Sequence, residues 1–394
     1  MESPSDTRPG PTGDIERLVR VTGRLDNWMR TAAWPLWWKF SRHANGAYFE
    51  ALQFNGRPVT SATARVRVQA RQIFSFAIAH TMGWREPGLE AGIRQSLDRF
   101  IQTCLGPGGI PGTQVNIANG RMSDATPSLY NVGFTLLALV QVREAFHDPG
   151  MDGHIDKLLD RLDRHLGYGP GLGYRETLPP DANRYQNPHM HLYEALLSLY
   201  RVTRDPHAGE RAEQLLDFLR DTFFDQRHGL VREISGPGES AASVTFEPGH
   251  SMEWVWLLGL RSRLFDLPLD PFALLLYQSY IESGITEGET PMCLTVDHRP
   301  VDASCRLWSQ NEALKAHLCM FELGPPELAD AALARAAECA ESISGRWLDS
   351  ACAGGFNDHY DASGKMIASD MPASMGYHLY LSIAELLRVT SRFR

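Results

Sequence analysis

Gly229-Leu-Val-Arg-Glu233, followed by a turn at Gly236-Pro-Gly238, is the stretch that decides the fold, because similar stretches recur along the chain. Each copy is a short alternating run that ends in turn-forming residues, which is typical of a small β-hairpin. Counted at positions 47, 110, 172, 230, 293 and 356, the copies are 63, 62, 58, 63 and 63 residues apart. The other turns are predicted at Asn55-Gly56, Asn119-Gly120, Pro180-Asp181, Asp297 and Ser363-Gly364.

Two stretches with apolar residues at helical spacing lie between consecutive hairpins. Helix boundaries are indicated by Ser128, by Asp205-Pro206 and by Gly324-Pro-Pro326. The predicted helices are 14–31, 62–83, 87–104, 126–147, 151–166, 188–203, 207–223, 250–265, 270–284, 307–323, 326–347 and 374–391.

Six helix pairs can stack as an open solenoid or close into a ring. Solenoid repeats are usually shorter, about 34 to 47 residues, and need polar capping units, so closure is favoured. We therefore predict an all-α fold, an (α/α)6 barrel with short β-hairpins at one end. The second helix of each pair should line the interior, and the hairpins should cover a central pocket.

The length of 394 residues alone suggests two or three domains at about 150 residues each. The repeat instead predicts one catalytic barrel domain over residues 14–394. Residues 1–13 are rich in Pro, Ser, Gly and charge and are predicted to form a disordered lead.

Composition excludes several classes of protein. There are 38 Lys and Arg against 47 Asp and Glu, a net charge of −9, which opposes binding to nucleic acid or anionic membranes. The longest apolar run, Phe272 to Tyr277, is far too short to span a bilayer, and no signal peptide is visible, so a cytoplasmic location is expected. Six cysteines without a CxxC motif suit reduced, mostly buried thiols.

Charged, histidine and tryptophan residues cluster near the starts of the predicted inner helices. Taken singly, each has a structural explanation: Arg65 and Arg67 as a solvated face, and tryptophans as core. Their coincidence at equivalent places of a closed repeat instead indicates a site. The candidates are Arg67, Arg71, His189, His191, His250, Glu253, Trp254, Trp308, Glu312 and His378.

Other motif readings fail. The glycine-rich segment at 169–173 lacks a preceding strand and a GK[ST] ending, so it does not indicate nucleotide binding. His189-Met-His191 is not part of an HExxH motif, and no metal is predicted.

Several stretches resemble the N-acylglucosamine 2-epimerase family, whose members are sugar epimerases and isomerases on (α/α)6 barrels. The resemblance is carried by Arg65-Val-Arg-Val-Gln-Ala-Arg-Gln-Ile-Phe74, Asn187-Pro-His-Met-His-Leu-Tyr-Glu-Ala195, Glu247-Pro-Gly-His-Ser-Met-Glu-Trp254, Arg306-Leu-Trp-Ser-Gln-Asn-Glu312 and Tyr377-His378. Trp34-Pro-Leu-Trp37 looks most like the mannose isomerase branch.

The resemblance implies a role for each matching residue. His250 and His378 would be the catalytic pair, and His191, Arg71 and Glu253 would surround the sugar. Asn187 would bind substrate hydroxyls, and Trp308 would pack on the sugar.

The resulting hypothesis is an aldose-ketose isomerase that interconverts D-mannose, or a close aldose, and D-fructose through a cis-enediolate. Imidazole, with a pKa near about 6.5, can take and return a proton at neutral pH. His250 is expected to move the proton between C2 and C1, while His378 assists ring opening. No cofactor is needed, and the partner is a monosaccharide, with a monomer or homodimer expected.

Three alternatives stay open from sequence. A sugar 2-epimerase would use the same residues. An (α/α)6 glycoside hydrolase would need two inward carboxylates, for which Glu253 and Glu312 are available. A noncatalytic sugar-binding protein would share the fold without the chemistry.

Overall fold

The computed structural model describes residues 11–169, 171–237, 244–283, 285 and 289–393. Every predicted helix is present within these ranges. The helices are α1 (Pro11–Trp28), α2 (Trp34–Phe40), α3 (Val66–Thr81), α4 (Leu89–Thr103), α5 (Leu129–Phe146), α6 (Asp152–Leu166), α7 (Gln186–Thr203), α8 (Pro206–Phe223), α9 (Pro248–Phe265), α10 (Pro271–Glu282), α11 (Leu307–Leu323), α12 (Pro326–Ser342) and α13 (Gly376–Thr390).

Six helices form a closed inner ring. Helices α3, α5, α7, α9, α11 and α13 each contact the next, and α13 contacts α3. They are buried on almost every face, whereas the helices packed outside them are amphipathic. In α6, for example, Ile155, Leu158, Leu162 and Leu166 are buried at a spacing of three to four residues. The predicted (α/α)6 barrel and its inner helices are confirmed.

Short strands join the units at one end of the barrel. They are β1 (Ala51–Leu52), β2 (Thr63–Arg65), β3 (Gln114–Asn116), β4 (Met122–Asp124), β5 (Arg184–Tyr185), β6 (Phe224–Asp225), β7 (Leu230–Val231), β8 (Ile234–Ser235), β9 (Thr245–Phe246), β10 (Pro291–Thr295), β11 (Pro300–Arg306), β12 (His359–Tyr360) and β13 (Met371–Pro372). The first, second, fifth and sixth predicted hairpins turn where expected.

The third predicted hairpin is wrong. Across the turn at Pro180-Asp181 the two arms do not pair; β5 pairs instead with β8 of the next unit. Prolines at 179 and 180 have no backbone N–H with which to build a ladder there. The fourth predicted hairpin stays a prediction, because Gly238 of its turn and residues 239–243 lie outside the described residues; β7 of that unit pairs with the preceding strand, β6.

Several helix boundaries differ from the prediction by a few residues, and two of these differences have a structural cause. The helix predicted at 62–83 begins at Val66, because residues 63–65 form β2 against β3. The helix predicted at 14–31 begins at Pro11 and continues through a π-helical segment, Met29–Ala33, into α2. The turn of this π-helical segment is wider than an α-helical turn and accommodates Pro35, which cannot donate a backbone hydrogen bond. Residues 1–10 lie outside the described residues, so the disordered lead and the single-domain division stay predictions.

Buried amides fasten the hairpins to the inner helices. Gln69 Oε1 accepts from the Tyr48 N–H at 2.7 Å, and Gln310 Oε1 accepts from the Thr290 N–H at 2.9 Å. Asn131 Nδ2 donates to the Gly112 carbonyl at 2.6 Å. These bonds hold the loops over the N-terminal ends of the inner helices, where the candidate residues lie.

No helix in the described ranges is long and apolar enough to cross a membrane. All six cysteines are free, and four of them are buried, as predicted for reduced thiols.

Candidate active site

A cavity of about 260 Å³ opens among the N-terminal ends of the inner helices. All seven residues assigned to the site from the sequence line it: Arg71, Asn187, His191, His250, Glu253, Trp308 and His378. They come from α3, α7, α9, α11 and α13, so the closed ring brings them together. The cavity is also lined by Arg65, Arg67, Tyr130, Glu247, Met292, Arg306, Asp358, Pro372, Ser374 and Met375.

His250 lies in the first turn of α9 and is held by two carboxylates. Its Nδ1 is 3.0 Å from both oxygens of Glu233 and 3.6 Å from Glu247 Oε2. Burial lowers the pKa of His250, but the charges of Glu233 and Glu247 outweigh this effect and raise the pKa to about 10. His250 is therefore an imidazolium at neutral pH, with Nε2 as the nitrogen left free by Glu233.

His378, in the first turn of α13, is in the opposite state. Its Nδ1 is 2.7 Å from Glu312 Oε1, and Glu312 Oε2 is 2.7 Å from the ammonium of Lys315. Burial lowers the pKa of His378 well below its usual value, and the charges of Arg71 and Lys315 lower it further. His378 is therefore neutral, and a hydrogen on Nδ1 that bonds to Glu312 leaves a lone pair on Nε2.

Lys315 is fully buried, with its ammonium 3.6 Å from the centre of the Trp256 ring. Burial raises the pKa of the Glu312 carboxyl group, and the Lys315 charge opposes that rise. The negative charges of Glu312 and Glu253 raise the pKa of Lys315 against the effect of burial. The negative charge of Glu312 therefore compensates the buried positive charge of Lys315, next to His378.

Trp308 lies between the two catalytic candidates. Its ring centre is 5.0 Å from that of His250 and 5.9 Å from that of His378. The indole forms a flat wall between two imidazoles, which is the place where a sugar would pack against it.

The floor of the cavity is a network of buried acids. His191 Nδ1 is 3.2 Å from Glu194 Oε2, which also accepts a hydrogen bond from the Tyr377 hydroxyl. Burial lowers the pKa of His191 to about 4. Neither carboxyl oxygen of Glu253 has a hydrogen-bond partner among the described residues. Burial and the charge of Glu312 raise the pKa of Glu253 well above its usual value.

Arg71 points into the cavity from α3. It donates to the Tyr130 hydroxyl at 2.8 Å and lies 4.0 Å above the Phe134 ring centre. Arg67, one turn earlier, also lines the cavity, with its guanidinium 5.3 Å from the Tyr130 ring centre. Arg65 borders the cavity as well, so both arginines belong to the rim of the central cavity and not to the outer surface of the barrel.

The remaining candidates divide between the cavity and the core. Asn187 borders the cavity, and its Oδ1 has no hydrogen-bond partner in the described part of the chain. Trp254 is fully buried and donates to Gln186, and His189 is fully buried and bonds to the backbone of Tyr185. Trp254 and His189 are therefore structural.

Sequence reasoning missed Glu233, Lys315 and Tyr130 as parts of the site. For Glu233 a signal existed in the repeat. Glu50, Glu176 and Glu233 each accept a backbone N–H at the start of an inner helix, from residues 65, 185 and 247. Glu233 differs because both of its oxygens lie 3.0 Å from Nδ1 of His250, whereas Glu176 pairs with Arg184 and lies 3.6 Å from Nδ1 of His189.

Among the described residues, three groups of acids and histidines have ligand atoms within 4.8 Å of one another: His191, Glu194 and Glu253; Glu233, Glu247 and His250; Glu253, Glu312 and His378. We assign no metal to them, because the ammonium of Lys315 and the imidazolium of His250 already supply cations to two of these groups. The absence of a cofactor stays a prediction.

Comparison with known proteins gives a consistent result. The profile of the N-acylglucosamine 2-epimerase (GlcNAc 2-epimerase) family matches residues 46–382. The mannose-6-phosphate isomerase of Rhizobium meliloti (strain 1021) is 32% identical over 381 residues, covering 92% of this chain and 96% of that protein.

Two solved structures share the fold at low sequence identity. A D-mannose isomerase superposes with a TM-score of 0.78 at 17% identity, covering 98% of this chain and all of that chain. The cellobiose 2-epimerase of Spirochaeta thermophila DSM 6192 has a TM-score of 0.81 at 19% identity, with coverages of 99% and 100%. The chain therefore belongs to the N-acylglucosamine 2-epimerase family and is a sugar isomerase or epimerase.

Proposed function

We propose that this enzyme is an aldose-ketose isomerase that interconverts D-mannose, or a close aldose, and D-fructose through a cis-enediolate. The observation that carries the proposal is the pair of histidines beside Trp308. Different acids hold the two imidazoles, and their pKa values are shifted in opposite directions. One is an imidazolium and the other a neutral base before substrate binds. Isomerisation needs one group of each kind.

The charge states favour His378 as the base, which reverses the roles that the sequence analysis assigned to the two histidines. His378 Nε2 takes the proton from C2, and the electrons of the C–H bond form the C1–C2 double bond. The carbonyl electrons move to O1, which receives a proton from His250. His378 then returns its proton to C1, while the O2 proton passes to His250 and the C2 carbonyl forms.

Arg71 supports the intermediate electrostatically. Its guanidinium carries a fixed positive charge in a mostly buried position, where it can stabilise charge that develops on the enediolate oxygens. The carboxyl group of Glu253, whose oxygens have no hydrogen-bond partner among the described residues, can bind a sugar hydroxyl, and Asn187 can bind another. These groups orient the sugar, while the two histidines move protons.

The same residues would permit 2-epimerisation if a proton returned to C2 from the opposite face. That outcome needs both histidines to act as carbon bases in turn. An imidazolium at His250 is a poor base in the free enzyme, which favours isomerisation. The hydrolase alternative is disfavoured because Glu312 is fully buried and already bonded to His378 and Lys315.

The test is NMR of mannose incubated with the enzyme in D2O. We expect fructose, with deuterium entering at C1 whenever the base exchanges its proton with solvent. Glucose as the sole product would show that the enzyme is an epimerase and not an isomerase. Retention of all carbon-bound hydrogens, with no product from a panel of aldoses and ketoses, would refute both the isomerase and the epimerase activity.

One monosaccharide is the partner that this proposal requires. The cytoplasmic location and the monomeric or homodimeric state stay predictions. Size-exclusion chromatography with light scattering tests the oligomeric state directly.

A further inference from the structure

Arg67 is a cation in the cavity wall without an acidic partner. Within the described ranges, no carboxylate oxygen lies within 4.0 Å of its guanidinium, although the chain has many ion pairs of this kind. Burial lowers the pKa of Arg67, and Arg65 and Arg71 lower it further. Its only close aromatic contact there is with the Tyr130 ring. A partly desolvated charge of this kind is stabilised when an anion binds it.

The neighbouring arginines of the rim are neutralised. Arg65 pairs with Glu50, and Arg306 pairs with Asp358. Arg71 bonds to the Tyr130 hydroxyl and, at 3.4 Å, to the Ser374 carbonyl, and its Nε has no partner among the described residues. Helix α3 therefore presents two adjacent guanidinium groups without carboxylates, one at the rim and one deeper.

The order of helices in the ring shows where a sugar would meet Arg67. His250, Trp308 and His378 lie on α9, α11 and α13, which are consecutive. In a ring of six, the helix opposite α11 is α5, which carries Tyr130. A sugar with its carbonyl carbon between the two histidines therefore extends toward Tyr130 and the guanidinium above it.

We infer that the substrate carries an anionic group, a phosphate or a carboxylate, on the carbon farthest from its carbonyl, and that Arg67 binds this group. The inference rests on the proposed function, since it needs the carbonyl end between the histidines. The opposite wall is acidic, with Glu247 at the rim, so an anion is favoured in one orientation only. Arg67 thereby selects both the substrate and its direction in the cavity.

The experiment compares kcat/KM for mannose, mannose 6-phosphate and mannuronate in the wild-type enzyme and three variants. Arg67→Gln removes the charge, and Arg67→Lys keeps it without the planar fork. Arg57→Gln removes a charge from an exposed turn and serves as the matched control. We expect the wild type to prefer one anionic sugar by about 10- to 100-fold, the range of a charged hydrogen bond.

Arg67→Gln should bring the ratio of kcat/KM for the anionic sugar to kcat/KM for mannose down to about one. Arg67→Lys should keep part of that ratio, and Arg57→Gln should keep it all. The preferred anionic sugar identifies the group as phosphate or carboxylate. Equal activity of the wild type on neutral and anionic sugars would overturn the inference without affecting the proposed isomerase activity. An equal loss of activity on neutral and anionic sugars in Arg67→Gln would have the same meaning. Absence of conversion for every sugar would instead refute the proposed function, and the inference with it.

Discussion

The contact between Glu233 and His250 makes a quantitative prediction about pH. Replacing Glu233 by Gln keeps a hydrogen-bond acceptor but removes a negative charge 3.0 Å from Nδ1 of His250. At that distance two unit charges interact by about 5 kcal/mol with an effective dielectric constant of about 20. This energy corresponds to about four pKa units.

The direction of the expected pH shift follows from the loss of the negative charge of Glu233. In the wild type the pKa of His250 is about 10, so the imidazolium is present below that pH and is lost above it. Without Glu233, burial lowers the pKa of His250, and the charges of Glu247 and Glu253 are left to oppose it. We expect the alkaline limb of the kcat/KM profile to move from near pH 10 toward neutrality, by at least about two units.

The assay is the initial rate of ketose formation between pH 5 and 11, for the wild type, Glu233→Gln and Glu210→Gln. Glu210 lies on the outer helix α8 with its side chain 66% exposed, so its replacement controls for net charge. An alkaline limb that stays near pH 10 in Glu233→Gln would refute the electrostatic reasoning. A uniform loss at every pH, without a shift, would assign Glu233 a purely structural role.

The other predictions concern the second histidine and the packing of the ring. Lys315→Met leaves Glu312 without its cation, so the acid should protonate and donate to His378; we expect kcat to fall by about 10²- to 10⁴-fold with little change in KM. His378→Asn should remove hydrogen exchange at C2 on the same scale, measured by NMR in D2O. Gly133→Ala places a Cβ 3.0 Å from the backbone of His191 and should lower the free energy of unfolding by about 1–3 kcal/mol in denaturant titrations. Gly23→Ala, in α1 with open space around the new Cβ, should instead raise it by about 0.5–1 kcal/mol.

The helices could be predicted because their apolar spacing is a local property. Ser128 accepts from the Asn131 N–H and Asp205 from the His207 N–H, so these start signals act within three residues. The pairing of β5 with β8 joins residues about 50 positions apart, and local turn signals contain no information about it.

The residues of the site also divide into those that local sequence signals predict and those that depend on contacts between distant parts of the chain. His250 and His378 could be placed because each begins an inner helix, and the ring brings those ends together. Lys315 lies one turn beyond Glu312 and looks like an ordinary surface pair in the sequence. Only the closed ring reveals that both are fully buried. The charge of buried Lys315 then helps to lower the pKa of His378.

The three glutamates of the repeat indicate how chemistry can arise from a structural contact. Glu50 and Glu176 accept a backbone N–H at the start of an inner helix and pair with Arg65 and Arg184. Glu233 makes the same backbone contact, but the side chain it meets is His250. An arginine keeps its proton whatever its partner, whereas the protonation state of a histidine depends on its burial and on the charges beside it. His189, 3.6 Å from Glu176, has its pKa lowered to about 4 by burial, whereas the pKa of His250 is raised to about 10 by Glu233 and Glu247. At Glu233, a contact that holds the start of a helix therefore also keeps the proposed acid, His250, in its charged form.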